Sequence, residues 1–178
     1  MPATAADVAA LTELLGREPQ AEFDVVVRGD DGRLVVIRNA PLLHDGTPMP
    51  TRFWLVDREL TVAVSRLEAG GAVRRAEGAV DAAELAAAHD AYAAERDTAL
   101  LAEHDGPRPH GGVGGTRTGV KCLHAHYAHY LAGGDDPVGC WVEAELRRAS
   151  ERSERAQSPE RPEGYRPASP VEDGPAGE

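Results

Sequence analysis

The chain has 178 residues, 42% hydrophobic and 28% charged, a length and balance that fit one domain with an appendage and exclude a wholly disordered protein. Its 19 basic and 30 acidic residues leave a net charge of -11, which repels nucleic-acid backbones and anionic membranes, so no nucleic-acid partner is expected. No apolar run approaches the roughly 20 residues of a membrane span, and the two cysteines, Cys122 and Cys140, are too few for a disulfide framework; the expected location is the cytoplasm.

Thr4 is a plausible cap for a first helix running to Leu15 and stopped by Gly16, with Val8, Leu11, Leu14 and Leu15 at helical spacing. The β-branched runs Phe23 to Arg28 and Arg33 to Asn39 flank Gly29-Asp30-Asp31-Gly32, a hairpin signal. Arg52 to Val56 reads as a third strand after a Pro-rich turn, in which Asp45 fits an Asx-type role. From Asp57 the spacing of Leu60, Val64 and Leu67 is helical until Gly70-Gly71. Asp81 and Glu84 then form a capping-box pattern for a longer helix, with Leu85, Ala88, Tyr92 and Ala99 as its buried stripe. On the same helix His89, Tyr92 and Arg96 make a polar stripe able to face the following loop.

That loop, residues 105 to 119, holds six glycines and two prolines and cannot carry a regular element. A helix is expected from Val120 to Ala132, and a last one from Asp136-Pro137 to about Ala149. From residue 151 to 178 the chain is rich in Pro, Glu, Arg and Ser and is expected to be disordered. The expected architecture is α+β: residues 1 to 150 form one domain, a small antiparallel sheet of about three strands packed with four to five helices.

Chemistry concentrates in Gly111 to His129. Of the 19 basic residues 18 are Arg, and the solitary Lys121 stands where a compact ammonium is wanted. A glycine loop running into a helix start can cradle an anion on its backbone amides. Arg117, Lys121 and His124, with Gly114, Gly115, Gly119 and His89, are therefore the candidate binding residues. The segment is not a Walker A loop: Val120 separates Gly119 from Lys121, and Cys122 replaces the magnesium-binding hydroxyl. Cys122 is also a candidate nucleophile, since a helix start and an adjacent Lys favour the thiolate, with His124 as base and Lys121 beside it. Cys122 and His126, four apart, are the candidate metal pair, with His89, His104, His110 and Cys140 as further donors, although a small apolar thiol and exposed histidines explain the same residues.

The segments Asn39 to Thr51, Ser65 to Gly71, Ala88 to Asp97 and Gly119 to His129 together resemble a bacterial, mainly actinobacterial, family catalogued as domain of unknown function 501, over about Phe23 to Val142. The resemblance implies no established activity. Members are often encoded near a septum-formation initiator and an exopolyphosphatase-type phosphatase, which implies, by association, a place in division or phosphate metabolism. The leading expectation is recognition of an anionic, phosphorylated small molecule at the V-K-C-L-H helix start. The alternatives are an interaction protein with a partner in the division or envelope machinery, and a metal-dependent or cysteine-dependent enzyme; the cofactor is unknown.

Overall fold

A computed structural model describes residues 1–157. The elements run α1 (Ala5–Leu15), β1 (Phe23–Arg28), β2 (Leu34–Asn39), β3 (Phe53–Leu55), α2 (Arg58–Ala69), α3 (Ala72–Ala79), α4 (Ala82–Thr98), α5 (Leu123–Leu131) and α6 (Pro137–Gln157), with a 3-10 turn at Val113–Gly115. The class is α+β as expected, with six α-helices among the described residues rather than four or five.

Both ends of α1 are set by local chemistry. The Thr4 side chain accepts from the Asp7 amide, and the Asp7 carboxylate accepts from Thr4 N, closing a capping box; Gly16 ends the helix in the left-handed region at φ 68°. Thr4→Ala is expected to cost about 1 kcal/mol, read as a fall of roughly 2–4 °C in melting temperature for a domain of this size. Leu11 is fully buried, but Val8 and Leu14 are 40% and 44% exposed, so α1 buries a narrower stripe than its apolar spacing suggests.

The sheet is antiparallel in the order β1-β2-β3, with Val25 opposite Ile37 and Val36 opposite Leu55. Central β2 is buried at five of its six residues because both sheet faces are covered. On one side Leu11 of α1 packs with Phe23, Val25, Leu34, Ile37 and Val56. On the other, Ala125 and Ala128 of α5 pack with Val35, Val36, Phe53 and Tyr92. A third apolar cluster joins Val64, Ala72, Ala76, Leu85, Leu123, Tyr127, Val138 and Val142, locking the helices to one another.

The second and third strands are shorter than read, beginning at Leu34 and spanning Phe53–Leu55, and four helical assignments differ from the sequence reading. Helix α3 is additional: Gly71, at φ 76°, reverses the chain at once after α2, so the glycine pair is a joint between helices rather than the start of a loop. Helix α4 ends at Thr98, which leaves Ala99 an exposed C-cap instead of a buried position. Helix α5 starts at Leu123, because Cys122 is the extended N-cap and its sulfur accepts from the Ala125 amide at 3.4 Å. Helix α6 continues to Gln157, its exposed turns carrying Arg147–Glu143 and Arg148–Glu145 pairs and a Ser150–Glu154 hydrogen bond. Residues 151–157, expected to be disordered, are therefore helical, and the rest of the expected tail, residues 158–178, lies outside the described residues.

Candidate functional site

The polar stripe of α4 does face the Gly-rich segment, and it holds that segment shut. His89 Nδ1 accepts from Val113 N at 3.0 Å, which assigns its proton to Nε2, and Nε2 donates to Gly119 O at 3.0 Å. Burial pushes the His89 pKa down, in keeping with a neutral ring. Arg96, 1% exposed, donates to the carbonyl of Gly111 at 2.6 Å and pairs with Asp97. Gly112 lies so close to α4 that a Cβ there would come within 2.4 Å of the His89 Cβ. Within the loop the amides of Gly112 and Gly115 donate to Thr116 O and Gly112 O. Gly114, Gly115 and Gly119 all sit at positive φ, and the Lys121 ammonium donates to Gly114 O at 3.3 Å.

This arrangement redistributes the candidate anion residues. Lys121 is turned back onto the loop, Arg117 is exposed, and His89 is buried beneath it. The α5 N-terminus already has an anion, because Leu123 N donates to Glu68 Oε1 of α2 at 2.6 Å. His124 joins Glu68 rather than Lys121.

The metal pair expected from Cys122 and His126 is not assembled. His126 is 1% exposed and its Nδ1 donates to the Asp136 carboxylate at 2.9 Å, while His129 Nδ1 donates to the same group at 3.1 Å. Asp136 Oδ1 also accepts from Gly139 N, capping α6. Burial alone would raise the Asp136 pKa, but the hydrogen bonds from His126 and His129 outweigh it and hold the carboxyl at about 2. His126 Nε2 has no hydrogen-bond partner among the described residues, and its ring meets His89 edge-on. These two histidines are core residues, not exposed ones. Cys140 is exposed, and His104 bonds locally to Pro107 O.

What does assemble is Glu68, Cys122 and His124, whose donor atoms all lie within 4.8 Å of one another. His124 Nδ1 is 3.2 Å from Glu68 Oε1, and Nε2 is 3.1 Å from the carbonyl of Thr61 and 3.2 Å from Ser65 Oγ. A carbonyl can only accept, so Nε2 carries a proton and Nδ1 is the nitrogen turned to the carboxylate. A hydrogen bond to Cys122, with the Thr61 carbonyl and the Glu68 charge behind it, raises the His124 pKa to about 9 against the opposing effect of burial. A ring protonated on both nitrogens has no lone pair to take a thiol proton, so His124 in that state does not serve as the base for Cys122. Glu68 escaped the sequence reading as a site residue because it lies 55 residues from Leu123 in the chain; its one signal was its place in the Ser65 to Gly71 block.

Cys122 and His124 also line a cavity of about 520 Å³ between α1, β3, α2 and α5. Its walls are Leu14, Leu15, Phe53, Trp54, Leu55, Val56 and Val62, with Arg58, Thr61, Thr51 and Glu13 as polar margins. The volume is that of an ordinary small-molecule pocket. Arg58 is exposed and makes no ion pair or hydrogen bond among the described residues.

The fold and this site define an α+β protein with a thiol, an imidazole and a carboxylate gathered at the edge of an apolar-walled cavity. The chain belongs to the family described as protein of unknown function (DUF501), whose model matches residues 25–144, more than half of the chain. The match takes in the sheet from Val25 onward, the cavity's β3, α2 and α5 walls, and the three clustered residues. No curated protein and no solved structure matches the chain. No described helix is long and apolar enough to cross a membrane.

Proposed function

We propose that the protein binds a small anionic molecule with an apolar body, and that the cavity beside Cys122 and His124, rather than the Gly-rich loop, is where it binds. The observation that carries this reading is the cavity itself: an apolar wall around Trp54, Phe53 and Val62 that ends at an unpaired Arg58 and the His124 imidazole. Apolar surface supplies the affinity of such a site, and a few placed polar groups fix the ligand's orientation. The loop is the weaker place for an anion, since the Gly112, Val113 and Gly115 amides and the Lys121 ammonium already have acceptors inside the protein.

A thermal-shift panel of aryl and medium-chain carboxylates and phosphates, each paired with the alcohol of the same body, tests the reading. A matched anion at about 100 times its Kd adds roughly 2.7 kcal/mol, or about 5–11 °C here. Arg58→Glu should remove most of that shift while keeping the fold, because an acidic residue is welcome in the first turn of α2. Lys121→Met should leave the shift unchanged. Equal stabilisation by the alcohols, or a shift lost in Lys121→Met and kept in Arg58→Glu, would overturn the assignment.

A further inference from the structure

We propose that Cys122 Sγ, His124 Nδ1 and a Glu68 carboxylate oxygen bind a zinc-type divalent cation, whose fourth position opens toward the cavity. The proposal concerns a different ligand from the anion above and stands whether or not the cavity takes that anion.

The donor set comes first. Thiol, imidazole and carboxylate together suit zinc and its neighbours, whereas calcium and magnesium take oxygen ligands. A thiolate and a carboxylate also neutralise a dication, with the Cys122 thiol and His124 Nδ1 each giving up a proton to solvent as the metal binds. Tetrahedral zinc with bonds of about 2.0–2.3 Å spaces its ligand atoms roughly 3.3–3.8 Å apart. The His124 Nδ1 to Glu68 Oε1 distance of 3.2 Å is already of that order, and the sulfur lies within 4.8 Å of both partners' donor atoms.

The orientation of His124 is the second and independent observation. Its Nε2–H is committed to the Thr61 carbonyl at 3.1 Å, the outer hydrogen bond that a metal-ligating histidine ordinarily makes. That bond aims Nδ1 at the Glu68 carboxylate oxygen, a place where a proton is held in the metal-free protein and where a bound cation would take that proton's position. The other two donors are held as well. Cys122 Sγ accepts from Ala125 N at 3.4 Å, and Glu68 Oε1 accepts from Leu123 N at 2.6 Å, so both are fixed to the rigid first turn of α5. The side chains of His124 and Glu68 are about a quarter exposed, which leaves an entry path. Cys122 and His124 line the cavity and Glu68 does not, so a fourth ligand approaches from the cavity side. Three protein ligands with one open position is the pattern of a metal that engages its ligand directly rather than one that only ties chain segments together.

Titration of the full chain with Co²⁺ under reducing conditions, followed by displacement with Zn²⁺, tests the site without any organic ligand or assay of activity. One equivalent of Co²⁺ is expected to bind with a near-ultraviolet thiolate-to-cobalt charge-transfer band that Zn²⁺ abolishes. Cys122→Ser should eliminate the band while preserving the fold, since Ser is a strong N-cap. Cys140→Ser should leave it intact. Glu68→Gln and His124→Ala should each weaken binding by more than about 100-fold, beyond the range of outer-shell changes. Absence of the band in the wild type, its survival in Cys122→Ser, or wild-type affinity in both Glu68→Gln and His124→Ala would overturn the proposal.

Discussion

Asp136→Ala is expected to destabilise the protein by about 3–5 kcal/mol, a fall of roughly 6–20 °C in melting temperature. The carboxylate is 2% exposed and receives His126 Nδ1, His129 Nδ1 and Gly139 N. Removing it strands two buried ring N–H groups and uncaps α6 in one step. The same group predicts an acid response. Its pKa is lowered from 3.8 to about 2 on folding, so its contribution is complete above the unfolded value and is lost as pH falls through the folded one. Denaturant titrations of the wild type should show roughly 2–3 kcal/mol of stability disappearing between about pH 5 and pH 2 from this group. Asp136→Asn, which cannot ionise, should flatten that part of the profile; an unchanged profile would mean that other carboxylates set the acid limit.

Arg96→Ala should have an effect of similar size but a different distribution. Arg96 is almost entirely buried and its guanidinium holds the carbonyl of Gly111, so its loss leaves a half-buried carbonyl unpaired and a cavity, together about 3–5 kcal/mol. Amide exchange of Val113 should rise by more than the global loss accounts for, because the Val113–His89 bond is the neighbouring anchor of the same segment. Arg96→Lys should recover little, since one ammonium cannot replace a planar fork. If exchange at Val113 tracks global stability alone, the loop is held mainly by the close packing of Gly112 on His89.

Composition singles out the Gly-rich segment, but tertiary contacts set its state. Six glycines in fifteen residues suggest freedom to wrap a ligand. In the folded protein they instead permit the tight left-handed turns at Gly111, Gly114, Gly115 and Gly119 and the close approach of Gly112 to α4. Helical spacing on α4 correctly marked His89, Tyr92 and Arg96 as a one-sided stripe able to face the loop. On α5 the expectation of exposed histidines failed: His126 and His129 are both buried. Periodicity treats a histidine as polar, and it cannot see that Asp136, ten and seven residues away, supplies the carboxylate that lets both rings be buried.

The local signals determined what local physics can determine. Thr4, Asp57 and Asp81 cap their helices, Gly16 ends α1, the β-branched runs pair across a four-residue turn, and Asp45 closes its Asx turn on Thr47. Each depends on groups a few residues apart, so sequence spacing is nearly the same as spatial distance. The V-K-C-L-H block holds two of the three clustered residues for the same reason: Cys122, His124 and the helix start are neighbours in any conformation. Tertiary structure alone decided which residues complete the site. Folding α2 against α5 brings Glu68 to both the Leu123 amide and His124, and places Thr61 on the outer nitrogen of that ring. Lys121, next to Cys122 in the chain and the most distinctive residue in the sequence, is drawn away to Gly114 because the loop offers it a carbonyl at 3.3 Å. Side-chain partners depend on how the helices pack, and that packing is set by the apolar cluster of Val64, Leu123, Tyr127 and Val138, which has no polar signature to read in advance.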